Sequence, residues 1–264
     1  MKVSVYKPDQ HTDDRGNFCL WYGDSGVGKT ATPLQTMEDP INWIIAERGQ
    51  VDLTIKAIQR PDIRLVTAHY EGWDDLLEYI YDIDNFTSKK IKSVHFDSLT
   101  HIMGIHLADE ILEENYGAMA RDKDGNTKDI EKALTMRVKM SQEGFGTMSK
   151  QMVRLMLGFE QLTIAGIDVH LTARTQDSPK WNRELACAPA LAGREFGKDM
   201  KGFFDFIGLV ERRQDDEGNI IYPPYVSCED NGSYLSKWTG VRPAGGIIRV
   251  PFNVKKMLDY AHGR

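Results

Sequence analysis

Short apolar runs alternate along the chain with longer segments in which apolar residues recur every three or four positions, the pattern of an α/β protein built on a sheet. The runs "FCLWY" (18–22), "INWIIA" (41–46), "IRLVT" (63–67), "SVHFD" (93–97) and "DVHLTA" (168–173) are of strand length and rich in β-branched or aromatic residues. Helical spacing predicts helices over "GWDDLLEYIYDI" (72–83), "LTHIMGIHLADEILEE" (99–114) and "GTMSKQMVRLMLGFEQLTIA" (146–165). On the last of these, Met148, Met152 and Met156 fall four apart and read as core packing. The polar stretch from about 115 to 145 reads as an exposed insertion or arm.

Beyond Gln176 the periodicity fades. Residues 174–201, rich in Pro, Gly and charge, read as a long functional loop. Then "FFDFIGLVERR", "NIIYPPYVSCE" and "SYLSKWTG", separated by "QDDEGN" and "DNG", predict C-terminal β-hairpin strands, with Tyr222, Pro223, Pro224 and Tyr225 as an edge-strand feature. "VPFNVKKMLDYAHGR" predicts a terminal helix starting near Asn253. The organisation expected is an N-terminal arm (1–16), a core (17–240) and a tail with a short helix (241–264).

Composition narrows the classes. The 264 residues suffice for one well-cored domain. No run is long and apolar enough to span a bilayer, and the first residues carry no apolar core of signal-peptide length, so the reading is a cytoplasmic protein with no membrane partner. Cys19, Cys187 and Cys228 are far apart, form no metal-ligand spacing and suggest no disulfide framework, which fits a reducing cytosol. The seven histidines show no metal-ligand spacing either. A net charge of −6 gives no general attraction to nucleic acid, so any such binding needs a local basic surface and is salt-sensitive.

Candidate chemistry begins at "NFCLWYGDSGVGKT" (17–30), where Gly23, Gly28, Lys29 and Thr30 fit the G-x-x-x-x-G-K-[ST] phosphate loop directly after an apolar run. Glycines let the backbone of Gly23, Asp24, Ser25, Gly26, Val27, Gly28, Lys29, Thr30 and Ala31 curl so that successive amides point inward. Lys29 would reach the outer phosphates of ATP, and the Thr30 hydroxyl would ligate Mg²⁺. Pro33, early in the helix that should follow, would shorten or bend it. A second acidic site should close a neighbouring strand. Asp97, at the carboxyl end of "SVHFD", supplies it as the partner of Thr30 at the metal, although Ser98 could equally be an N-cap for the next helix.

The residues around these motifs resemble RecA-type ATPases. "NWIIAERGQVDL" (42–53) looks like the family strand that ends in the catalytic glutamate, with Glu47 at that position. The resemblance implies that Glu47 orients and deprotonates the water attacking the γ-phosphate. "HFDSLTHI" resembles the family's Asp-Ser strand end, and "IDVHLTARTQD" the next core strand, whose polar end residue senses the γ-phosphate. Arg174 stands there, where members often carry Gln or His. "SYLSKWTG" (233–240) is similar to the lysine-bearing element with which RadA-type proteins complete a neighbour's ATP site. Lys237 matches, while Trp238 and Thr239 replace the following Asn-Arg.

Within that superfamily the nearest likeness is to phage-encoded RecA-core proteins of the single-strand annealing group. The resemblance implies a RecA-like P-loop NTPase core, with a mainly parallel central sheet flanked by helices, that assembles as a homo-oligomeric ring or filament in the host bacterial cytoplasm. It implies ATP and Mg²⁺ as cofactors, ATP hydrolysis, and action on single-stranded DNA in recombination or annealing. A single-strand-binding protein is a further candidate partner. DNA would meet the loops after the fourth and fifth core strands, the regions near 137–154 and 174–201. The second holds Lys180, Trp181, Arg183, Arg194 and Lys198, with Trp181 as a stacking face. The alternatives are a ring helicase-type motor on the same core and a P-loop small-molecule or nucleotide kinase. Glu47 at a strand end argues for water as the nucleophile.

Overall fold

In a computed structural model of the chain, residues 15–47, 51–112, 140–177, 179, 182, 184–192, 195–229, 232–243, 246 and 248–264 are described. The strand β1 (Phe18–Gly23) is buried at every residue. A strand apolar on both faces has to lie inside a sheet covered on both sides, and β1 does. The sheet runs in the order β3 (Leu65–His69), β2 (Ile41–Ile45), β4 (Ser93–Asp97), β5 (Asp168–Asp177), β1, β7 (Phe206–Gln214), β8 (Ile220–Ser227), β9 (Arg249–Pro251). From β3 to β7 every pairing is parallel, while β8 and β9 add antiparallel strands at one edge. A short strand, β6 (Cys187–Pro189), pairs antiparallel with the end of β5. The architecture is mixed α/β, a mostly parallel central sheet flanked by helices.

The two faces of the sheet carry separate cores. On one, Phe18, Leu20, Phe96 and Leu171 pack against α3 (Trp73–Tyr81) and the long α6 (Gln142–Ile164) through Ile80, Met152, Met156 and Phe159. Met148, Met152 and Met156 are all buried there, as their spacing predicts. On the other face Trp21, Trp43 and Val210 pack against α1 (Ala31–Thr36) and the terminal α8 (Val254–Ala261). The described residues also include the shorter helices α2 (Val51–Ile58), α4 (Asp84–Thr87), α5 (Leu99–His101) and α7 (Glu195–Asp199). A π-helical turn, Ile102–His106, follows α5 and runs on as α-helix through residue 112.

Several expectations need correction. Pro33 does leave α1 only six residues long. The third strand of the C-terminal meander is 249–251 and not "SYLSKWTG": Tyr234 and Lys237 make only isolated bridges, to Cys187 and Ile207. Consequently β8 has neighbours on both sides and is no edge strand. Its prolines sit where the β7–β8 register is interrupted between Glu211 and Arg213, the place where a missing amide costs no ladder bond. The 174–201 stretch is not one loop, because β5 continues to Asp177 and β6 and α7 follow. The insertion ends earlier than 145, since α6 starts at Gln142 with Ser141 accepting from the Gly144 amide at 3.0 Å. Most of the insertion lies outside the described residues, as does most of the N-terminal arm.

The terminal helix starts where expected: Asn253 accepts from the Lys256 amide at 3.0 Å. Asn253→Ala removes that cap and should cost about 1 kcal/mol of stability. The readout is the midpoint of urea unfolding, and an unchanged midpoint would refute the cap's contribution.

Candidate functional site

Parallel pairing brings the carboxyl ends of four strands together. Gly23 at the end of β1 stands beside Arg174 of β5, and Ile45 at the end of β2 stands beside Asp97 of β4. Because β5 lies between β1 and β4, the 23–30 loop and Asp97 face each other across one intervening strand. In open α/β sheets this end of the strands is where ligands bind.

The loop needs its glycines for two reasons. A Cβ on Gly23 would lie 2.4 Å from the Val210 carbonyl oxygen, a backbone atom that cannot step aside. Gly28 has φ +101°, a conformation that side chains resist. With the loop so curled, Val27 is buried beneath it while Asp24, Ser25 and Gly26 are exposed. The Thr175 hydroxyl donates to the Asp24 carboxylate and ties the loop to β5.

A cavity of about 240 Å³ opens between the loop and the strand ends. Ser25, Gly26, Lys29, Thr30, Glu47, Asp97 and Arg174 line it, together with Trp43, Ile45, Val51, Thr54 and Ser98. The other loop residues expected at a phosphate, Gly23, Asp24, Val27, Gly28 and Ala31, belong to the same turn but do not line the cavity.

The Thr30 hydroxyl donates to Asp97 Oδ2 at 2.9 Å, and the Thr172 hydroxyl donates to Oδ1 at 2.6 Å. Both carboxylate oxygens are therefore oriented, one by the loop and one by β5. Lys29 Nζ donates to the Asp24 carbonyl at 2.7 Å. Burial lowers the Lys29 pKa below the usual lysine value, although Asp97 and Glu47 pull the other way. Glu47 forms an ion pair with Arg174 through Oε1 and accepts from the Ser98 hydroxyl at 3.2 Å through Oε2. Ser98 also caps α5 by accepting from the His101 amide at 3.3 Å, as the N-cap reading expects. The Arg174 amide donates to Thr100 Oγ1 at 2.9 Å, and that hydroxyl donates on to the Ala190 carbonyl at 2.9 Å. The two bonds link the strand bearing Arg174 to the segment that follows β6.

Lys237 lies apart from this cavity, with its ammonium donating to the Lys201 carbonyl at 3.2 Å. Lys198 is exposed on α7. Lys180, Trp181, Arg183 and Arg194 fall outside the described residues. Four contributors were not expected: Thr172, Thr100, Thr54 and Trp43. Thr172 lies with His170 inside a run that reads as a buried strand, and nothing local sets it apart. Trp43 carried no signal, because a tryptophan within a strand reads as core.

Among the described residues no group of three or more His, Cys, Asp or Glu side chains could hold a metal. Thr30 and Asp97 provide only two hard oxygen donors, which suits Mg²⁺, an ion that keeps several waters and takes phosphate oxygens as its remaining ligands. Among the same residues no helix is long and apolar enough to cross a membrane. No protein-family model matches the chain, and no curated protein matches its sequence.

Proposed function

We propose that the chain is a RecA-type P-loop ATPase that acts on single-stranded DNA in recombination or annealing. The observation that carries this reading is the convergence on one cavity of Lys29 and Thr30 from the loop after β1 with Asp97, Glu47 and Arg174 from three further strands or their ends. A phosphate-loop lysine and threonine facing an acidic strand end are the parts that hold a nucleoside triphosphate. The carboxylate of Glu47 in the same cavity supports water, and not a substrate hydroxyl, as the attacking group.

In this reading Lys29 leaves the Asp24 carbonyl for the outer phosphate oxygens, a stronger acceptor. Thr30 and Asp97 would hold Mg²⁺, which when bound supplies positive charge at the phosphates and orients them for in-line attack. Thr172 keeps Asp97 facing the loop. The γ-phosphate draws the Arg174 guanidinium from Glu47, and Glu47 then accepts the proton of the water that attacks phosphorus, yielding ADP and phosphate. Because Arg174 is tied through Thr100 to the segment after β6, this exchange offers a route by which DNA at the 174–201 region speeds hydrolysis. A neighbouring subunit in a ring or filament contributes Lys237, whose place outside its own chain's cavity is compatible with that role.

The test is ATP hydrolysis by the full chain with and without single-stranded DNA at two salt concentrations. Stimulation of several-fold is expected, declining as salt rises because each phosphate contact releases counterions. A rate indifferent to DNA would remove the DNA assignment. Phosphoryl transfer to an added acceptor in place of hydrolysis would turn the reading to a kinase.

A further inference from the structure

Trp43 stands in the middle of β2, two residues before the strand end that adjoins Asp97. The residue is 2 % exposed, and its indole Nε1 has no hydrogen-bond partner. An indole N–H can only donate, and leaving such a donor unpaired in the interior is costly. The side chain beside it in register, His95, does not take the proton, since both ring nitrogens of His95 are likewise without a partner. Trp43 nevertheless lines the same cavity as Lys29, Thr30 and Asp97. A buried donor with no acceptor of its own, on a side chain that lines one cavity with the phosphate-loop residues, points to an acceptor that arrives with the ligand.

We propose that the Trp43 indole N–H is part of the nucleotide site and donates to an oxygen at the phosphate–magnesium end of a bound nucleotide. The inference rests on the P-loop reading above and extends it to a residue with no counterpart in the phosphate-loop pattern. The polar end of the nucleotide is the one chosen because Trp43 shares the cavity with Lys29, Thr30 and Asp97, and an indole N–H donates best to a charged oxygen. The donor is desolvated in the free protein, so it makes its bond without losing one to water.

The experiment compares wild-type protein with Trp43→Phe, which keeps an aromatic body and removes the N–H. MgADP affinity measured calorimetrically should fall about ten-fold, the usual worth of a hydrogen bond to a charged group. The free variant should unfold at a somewhat lower temperature, since Trp43 is buried in the core and the smaller ring leaves a void. The deciding readout is therefore the affinity and the added stabilisation by MgADP, both of which should be smaller than in wild type. A merely structural role for Trp43 predicts the same loss of stability in the free protein with ligand affinity preserved. Should the variant fail to fold, the wild-type indole N–H resonance of Trp43 in NMR spectra serves instead, and MgADP should move it downfield. Equal affinity of the two proteins, or a resonance that MgADP leaves in place, overturns the proposal while the nucleotide site stands. Wild-type protein that binds no MgADP would overturn the nucleotide reading and this proposal together.

Discussion

Glu47→Gln should lower ATP hydrolysis by about a hundred- to ten-thousand-fold, the usual share of a general base, and leave nucleotide binding nearly unchanged. The amide has the size and shape of the carboxylate, so the side-chain oxygen can still accept from the Ser98 hydroxyl. What is lost is the ability to take a proton from water. The substitution also breaks the ion pair with Arg174, and that effect has to be weighed against the first. The two side chains are 48 % and 31 % exposed, and a pair so open to solvent contributes at most about 1 kcal/mol. Releasing Arg174 therefore changes nucleotide affinity by about five-fold at most, far less than the expected loss of rate. Single-turnover hydrolysis and MgADP binding, measured on one preparation, separate the two. A hydrolysis rate within about three-fold of wild type would remove Glu47 as the base, whatever happened to binding.

The same pair shows what a sequence can and cannot carry. Glu47 and Arg174 are 127 positions apart, and each stands out locally only as a charged residue after an apolar run. Asp97 is legible because an apolar run stops there, Lys29 and Thr30 because the phosphate-loop spacing is local, and Glu47 and Arg174 through the resemblance of their strands to those of RecA-type ATPases. Their contacts were not legible, since they depend on β4 lying between β2 and β5, an order that chain sequence does not state. Residues inside strands were hidden for the converse reason. Thr172 and Trp43 fall within runs whose burial is the dominant signal, and nothing local separates a core position from the floor of a cavity.

Secondary structure failed where burial is slight or borrowed. The helix α2 has only Ile58 buried, and its β-branched Val51, Thr54 and Ile55 mask a helical pattern. The strand β9 is three residues long, with no residue buried, so its existence depends on pairing with β8 and not on its own pattern. "SYLSKWTG" looked like a strand because Leu235 and Trp238 are apolar, and both are buried, but by packing against the two cores rather than by joining a ladder. By contrast, the central strands and the long helix α6 were legible, each having an apolar pattern long enough to specify itself.

That helix gives the largest stability effect to be expected away from the site. Phe159 is fully buried on α6, and its ring lies 5.3 Å from Phe96 on β4 and 6.2 Å from Phe18 on β1. It joins the helix to two central strands at once, so Phe159→Ala leaves a cavity that neither side can close. Both walls are constrained, the strands by hydrogen bonds on either side and α6 by its contacts with α3. The cost should therefore sit in the usual range for a phenylalanine lost from a rigid core, about 3–5 kcal/mol, a large share of the roughly 5–15 kcal/mol that holds a domain folded. Denaturant unfolding should show a lower midpoint with an unchanged slope, because the surface exposed on unfolding is almost the same. Phe96 is the residue before Asp97, but its side chain points to the opposite face of the sheet, as alternate strand residues must. The folded fraction of the variant should thus bind MgADP with wild-type affinity at low temperature. A loss below about 1 kcal/mol would show that the aromatic cluster collapses around the gap. A full loss of stability accompanied by weakened binding would instead show that Asp97 depends on the packing of the far face.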